Sequence, residues 1–272
     1  MISRILVGNS KGDSGTNGWL AAVNAATGAE MWRTYTVPGP GEPGHDTWKD
    51  DHNAWKTGGA ALWTTGSYDV AQKITIWGGA QPVPMFDPEF RPGDNLYSNS
   101  AIAFDIDTGR IKWHFQYTPN ESWDYDEQGV HMLVDAPFQG SPRQMVVHFG
   151  RNGFYYQLDR TNGTFLTAAQ YVEKINWTAG IDPKTGKPVE YDPKLALQTY
   201  IPATRWARAD AAPKQACPAL EGGVRWQPYA YNPDKRLAYL GGEDGCQTRQ
   251  IVPAITLPDG GIPGGGVAAC AD

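Results

Sequence analysis

An internal repeat constrains this chain more than any other feature. Ala22-Val23-Asn24-Ala25-Ala26-Thr27-Gly28-Ala29-Glu30-Met31-Trp32 returns as Ala103-Phe104-Asp105-Ile106-Asp107-Thr108-Gly109-Arg110-Ile111-Lys112-Trp113. The shared pattern is A-x-[DN]-x-x-T-G-x-x-x-W. A weaker third copy, Gln157-Leu158-Asp159-Arg160-Thr161-Asn162-Gly163, keeps the Asp-to-Gly spacing and lacks the tryptophan. Each copy reads as a hairpin in which a strand ends at Asp or Asn, a Thr-Gly or Asn-Gly pair turns the chain, and a second strand starts. Trp63 through Gly79 also resembles Trp226 through Gly242, at twice the first spacing to within a residue. Alternating or β-branched runs such as Lys73-Ile74-Thr75-Ile76-Trp77 fill the intervals, and no stretch sustains helical periodicity with caps. Four-strand units recurring along an all-β chain predict a β-propeller.

The spacing predicts a partial blade over 1–36, full blades near 57–117 and 128–172, and an incomplete one over 222–272. The connections 37–56 and 173–221 are rich in Pro and Gly, and the second contains Asp182-Pro183-Lys184-Thr185-Gly186-Lys187-Pro188. Loops of that length in a compact fold are more often functional than idle. About three and a half blades cannot close a ring, so open sheet edges are expected. Both ends read as truncations.

Composition narrows the class. The 272 residues suffice for a sizeable core. A net charge of −6 offers no basic excess to neutralise phosphates, which argues against nucleic acid as the main partner. Glycine (32) and proline (21) make up about a fifth of the chain, below the low-complexity range. Eleven Trp and 13 Tyr supply apolar surface that a disordered chain lacks. No apolar run approaches the ~18 residues of a membrane span, and the N-terminus does not read as a signal peptide.

Several chemical motifs reduce to turns. Lys11-Gly12-Asp13-Ser14-Gly15-Thr16-Asn17-Gly18 fits neither nucleotide-loop pattern, and a strand rather than a helix follows it. Asp107-Thr108-Gly109 matches the aspartic protease triplet but sits inside the hairpin repeat. Five histidines show no HExxH spacing. Three cysteines form no CxxC or CxxCH. From the residues alone, Cys217 and Cys246 read equally as buried small hydrophobes or as a disulfide. Such a bond contributes about 3–4 kcal/mol through loop closure and implies an oxidising compartment.

Two segments stand apart. Thr118-Pro119-Asn120-Glu121-Ser122-Trp123-Asp124-Tyr125-Asp126 places two carboxylates at i, i+2 among aromatics. That environment raises a pKa or holds a hard cation, unless the segment is a solvated acidic loop. His148-Phe149-Gly150-Arg151-Asn152-Gly153 delivers an arginine at a strand end, or is a plain surface turn.

Together these segments resemble the quinoprotein alcohol dehydrogenases, the methanol/ethanol family that uses pyrroloquinoline quinone (PQQ). The similarity lies in T-P-x-[DE]-x-W-D-Y, H-x-x-R-N-G, the A-x-D-x-x-T-G-x-x-x-W repeats and Arg91-Pro92-Gly93-Asp94-Asn95, in the family's order over nearly the whole chain. The resemblance implies an eight-bladed propeller with PQQ and a metal ion in its central funnel. It places Asp124 as general base for the alcohol hydroxyl, Arg151 on the quinone oxygens, Trp63 under the PQQ ring and Ser10 at a PQQ carboxylate. For the metal it implies Asp13, where a glutamate is usual, Gln81, where an asparagine is usual, and Asp124. One replacement is a methylene shorter and the other longer, so the cavity is re-spaced while oxygen donors are kept. Asp126 resembles the lanthanide-using branch, whereas calcium-using methanol enzymes carry a small residue there, so the ion is Ca²⁺ or a lanthanide. Arg225 falls where an asparagine is common near the quinone, and with Trp226 it joins the cofactor-binding set. Cys217 and Cys246 match a family disulfide.

The implied function is PQQ- and metal-dependent oxidation of a small alcohol to an aldehyde or ketone. Hydride goes to PQQ, the hydroxyl proton to Asp124, and electrons to a cytochrome c-type acceptor in the periplasm. Two other readings compete: a non-catalytic propeller of the same repeat type serving as a binding scaffold, and an inactive fragment lacking the family's vicinal Cys-Cys pair.

Overall fold

The computed structural model describes residues 3–208, 210, 212–251 and 268–270. The described chain is all-β, in antiparallel meanders. β1 (Arg4–Gly8), β2 (Trp19–Asn24) and β3 (Glu30–Tyr35) form a three-stranded sheet. β4 (Ser67–Asp69), β5 (Ile74–Gly78), β6 (Ser100–Asp105) and β7 (Ile111–Gln116) form a four-stranded one. β8 (Met132–Phe138), β9 (Ser141–Phe149), β10 (Phe154–Asp159) and β11 (Phe165–Gln170) form the next. This is part of a β-propeller. β5 is buried at every position and β6 at all but its last, because sheets stacked blade on blade cover both faces of a middle strand. The first sheet instead leaves Ile5, Val7 and Tyr35 exposed on one face.

The repeat explains how neighbouring blades lock. In each turn the Asp or Asn carbonyl accepts from the glycine four residues on: Gly28 to Asn24, Gly109 to Asp105 and Gly163 to Asp159, each at 2.8 Å. The side-chain oxygen caps the turn's free N–H groups, as Asp105 Oδ1 does for Asp107 (3.0 Å) and Thr108 (2.9 Å). The repeat tryptophan then docks on the next blade's turn. Trp32 Nε1 donates to the Ile106 carbonyl at 3.2 Å, and Trp113 Nε1 to that of Arg160 at 3.2 Å. Their rings cover Gly109 and Gly163, where a Cβ would lie 2.5 and 2.6 Å from ring carbons. Only glycine admits that approach.

The later part of the chain differs from the spacing-based expectation in two ways. Inside the connection 173–221, Asp182–Gly186 builds a further copy of the turn: Asp182 Oδ1 accepts from Lys184 and Thr185 at 2.8 Å each, and Gly186 N donates to Asp182 O at 2.9 Å. Phe165 packs against Gly186, filling the place of the missing tryptophan. Within the blade expected over 222–272, β13 (Ala230–Asn232) and β14 (Leu237–Tyr239) form a two-stranded hairpin. β15 (Gln247–Ile251) pairs instead with β12 (Lys214–Ala216), from within the connection, and with β16 (Ala268–Cys270). The rest of that expected blade, 252–267 and 271–272, lies outside the described residues. Among those described, no helix is long and apolar enough to cross a membrane.

Candidate active site

Loop ends from the first three sheets and the segment after residue 217 converge on a cavity of about 250 Å³. Ser10, Asp13, Trp63, Asp124, Asp126, Arg151 and Arg225 line it, with Lys11, Gly12, Ala61 and Ala80. Gln81 and Trp226 are not on its wall. Gln81 reaches the site by hydrogen bonds, and Trp226, half exposed, meets Trp63 edge-on with ring centroids 6.2 Å apart.

The loop after β7 is neither solvated nor a surface turn. Residues 118–123 and 125–129 are buried, which overturns the solvated-loop reading. Trp123 and Tyr125 turn inward, donating to the carbonyls of Thr204 (2.8 Å) and Pro218 (2.6 Å). Asp124 and Asp126, flanking Tyr125, line the cavity instead. Glu121 pins this conformation by accepting from the backbone N–H groups of Trp123 and Tyr125. Its own carboxyl is pushed up to about 7 by burial, against the pull of those N–H groups and Arg91. Residues 148–153 are equally buried, so the surface-turn reading fails there too.

The electrostatics centre on Arg151. Its Nη1 lies 3.1 Å from Asp126 Oδ2 and its Nη2 3.9 Å from Asp124 Oδ2, while Nη2 also donates to the Leu220 carbonyl. Asp126 is further held by Trp63 Nε1 (3.1 Å) and the Gln81 backbone N–H (2.6 Å). Gln81 Nε2 donates to Asp13 Oδ1 at 2.6 Å. Three donors thus hold Asp126, whereas Asp124 keeps 14% exposure and faces the cavity. Burial pushes the Asp124 carboxyl well above the usual carboxylate range; Arg151 opposes this, and Asp126, Glu121 and Asp13 add to it. Asp126 is also raised by burial, with Arg151 again opposing. Asp124 sits at φ 68°, a left-handed backbone that the surrounding contacts impose.

These residues suit a hard cation and an acceptor ring. Asp13, Asp124 and Asp126 supply oxygen donors. Gln81 Oε1 and Arg151 Nε are buried without a hydrogen-bond partner, an acceptor and a donor left for a ligand to satisfy. Among the described residues, no three carboxylate, imidazole or thiolate groups form a metal cage by themselves. A cation here therefore needs the Gln81 amide oxygen or oxygens from a bound ligand.

Arg225 stacks on Trp226, its Cζ 4.5 Å from the ring centroid, and pairs with Glu221. Cys217 and Cys246 are joined in a disulfide away from the cavity. The bond closes the segment that wraps the site, since Pro218 receives the Tyr125 hydroxyl, Leu220 receives Arg151, and Gly223 N donates to Arg151 O at 3.1 Å.

Sequence reasoning missed the layer behind the cavity. Glu127, His148, His131 and Tyr117 are all buried; His148 is visible in the sequence only as the head of the Arg151 motif, and local spacing gives the other three no role. Lys11 on the wall has no role in the sequence reading, although Asp13 in the same glycine-rich segment does.

Comparisons with known proteins agree with this geometry. The PQQ family described as "Glucose/ethanol/alcohol dehydrogenase, beta-propeller domain" matches residues 1–174. Quinoprotein alcohol dehydrogenase PedH of Pseudomonas putida is 36% identical over 256 residues, covering 87% of this chain and 41% of its own length. The quinohemoprotein alcohol dehydrogenase of Comamonas testosteroni is 34% identical over 249 residues, covering 87% of this chain and 33% of its own. Among solved structures, a europium-containing methanol dehydrogenase superposes with a TM-score of 0.85 at 31% identity, over 98% of this chain and 46% of its own. The chain thus spans less than half the length of each of these relatives. Repeat, fold and cavity converge with these matches, and the chain belongs to the PQQ-dependent alcohol dehydrogenase β-propeller family.

Proposed function

We propose that this chain forms the cofactor-binding part of a PQQ- and metal-dependent alcohol dehydrogenase, which oxidises a small alcohol to an aldehyde or ketone. The observation that carries the reading is the convergence of Asp124, Asp126 and Arg151 on one cavity beside Trp63. Asp124 is the general base. It lines the cavity and is more exposed there than Asp126, and burial raises its pKa, which makes the ionised carboxylate a stronger proton acceptor. Arg151 presents fixed donors to negative charge developing on ligand oxygens and avoids reorganisation as that charge forms. Trp63 would supply an apolar platform, Ser10 would meet a ligand carboxylate, and Arg225 with Trp226 would complete the cofactor-binding set. PQQ, when bound, supplies the redox chemistry as hydride acceptor.

Asp13, Gln81, Asp124 and Asp126 would hold the cation, whose charge polarises a neighbouring carbonyl. Ca²⁺ and a lanthanide both suit oxygen donors. Asp126 adds a carboxylate that favours the trivalent ion, though Arg151 already balances part of its charge. The disulfide accords with an oxidising compartment, the periplasm, where a cytochrome c-type protein would accept the electrons. A scaffold propeller has no use for a raised carboxyl facing a cavity beside unpartnered donors and acceptors, and is the weaker reading. The test is gel filtration of the full-length gene product after incubation with PQQ and either Ca²⁺ or La³⁺. Retained PQQ is expected, and its absence with both ions overturns the proposal.

A further inference from the structure

Behind the cavity lies a polar ring that the chemistry above does not use. Glu127 Oε2 shares a 2.8 Å hydrogen bond with His148 Nε2. His148 stacks on His131, with ring centroids 4.1 Å apart and planes 4° from parallel, and His131 Nε2 lies 3.1 Å from the Tyr117 hydroxyl. None of the four is more than 2% exposed. Burying such groups among aromatics is costly unless they are paired; Glu127 Oε1 has no hydrogen-bond partner, so the Oε2–His148 bond is what compensates that carboxyl, and a paired buried network fixes one geometry in return.

The ring joins the two loops that make the site. Glu127 directly follows Asp126. His148 is the next-to-last residue of β9, three residues before Arg151. The Glu127 carboxyl also lies against the backbone of Gly150, where a Cβ would come within 2.8 Å of Oε2. The chain segments carrying Asp126 and Arg151 are thus joined a second time, in addition to their own 3.1 Å contact.

We propose that Glu127, through His148, is a positioning residue that sets the Arg151 guanidinium against Asp126 and Asp124. This rests on reading the cavity as the PQQ site, yet it concerns contacts already formed in the cofactor-free protein. Three variants of the full-length gene product separate the roles. Glu127→Gln keeps a polar group within reach of His148, Glu127→Asp keeps the charge but shortens the reach by a methylene, and Glu127→Met keeps the volume without polar atoms. The cofactor-free readout is hydrogen exchange at Arg151 Nε, assigned with Arg151→Lys. Exchange is expected to be at least tenfold faster in the Asp and Met variants than in wild type, and within about threefold in the Gln variant.

With PQQ and Ca²⁺ or La³⁺ added, the Asp and Met variants should bind PQQ about tenfold more weakly by tryptophan fluorescence. Their kcat should fall by a similar factor, and Glu127→Gln should recover most of both. Should the Met variant fail to fold, the Asp and Gln variants carry the comparison. Wild-type exchange in the Asp variant overturns the inference, whatever its melting temperature. Absence of PQQ binding by wild type would overturn the functional reading instead, while faster exchange would still support the positioning role.

Discussion

Two groups of aspartates in this molecule have opposite physical fates. Asp182 lies in an exposed hairpin turn, and the backbone N–H groups of Thr185 and Lys184 hold its carboxyl below the usual range. Asp105 ends lower as well: desolvation, the largest single influence, pushes upward and is outweighed by the N–H groups and hydroxyl of its own turn together. Asp124 and Asp126 lie in a buried loop where desolvation dominates, and both are raised. The turn aspartates are charged because their own turns solvate them. The cavity aspartates sit where burial opposes their ionisation, with Arg151 as the nearest compensation. One residue type thus stabilises the fold in one setting and is kept reactive, at a cost to stability, in the other.

That contrast can be broken most sharply at Asp124. Asp124→Asn removes the proton acceptor and is expected to lower kcat by about 10³-fold in the PQQ- and metal-loaded full-length product. The same change should raise the melting temperature of the cofactor-free protein, because a neutral amide replaces a desolvated carboxyl. Unchanged turnover would show that Asp124 is not the base.

A second test uses Glu121, whose folded pKa of about 7 lies above its ordinary value of 4.5. The folded state then holds the proton more tightly than the unfolded one. The stability this confers is full below pH 4.5 and is lost as pH rises through about 7, with a magnitude of roughly 3 kcal/mol. Denaturant midpoints of wild type and Glu121→Gln between pH 4.5 and 7.5 should diverge in that sense. Parallel profiles would mean that Glu121 is solvated. The smallest effect belongs to the turns. Asp182→Ala removes two N–H caps on an exposed turn and should cost about 1 kcal/mol by denaturant melts, opposite in sign to the change at Asp124.

The difference between the two groups also explains what could be read from residue order. The turn aspartates are legible because all their partners lie within four residues, so a short pattern carries the whole interaction. Asp182-Pro183-Lys184-Thr185-Gly186 shows that pattern, though lying in a long connection hid its kinship with the repeat. Asp124, Arg151 and Trp63 could be assembled into one site only through family resemblance. Their partners lie tens of residues away, and no local rule links Trp63 to Asp126 or Gln81 to Asp13. The Glu127–His148 pairing has no local signal: His148 belongs to the Arg151 motif, but nothing in the sequence links it to a glutamate 21 residues earlier.

The sequence by itself determined the all-β class, the hairpin period and the turn chemistry. These follow from strand alternation and from hydrogen bonds closed within a few residues. Tertiary structure alone decided which carboxylates are desolvated, that Gln81 joins the site through hydrogen bonds while Trp226 stands off its wall, that β12 pairs with β15, and that a buried histidine stack backs the cavity. Burial and long-range contact belong to the packing of one sheet on another, and the energy of a charge depends on what surrounds it rather than on its neighbours in the chain.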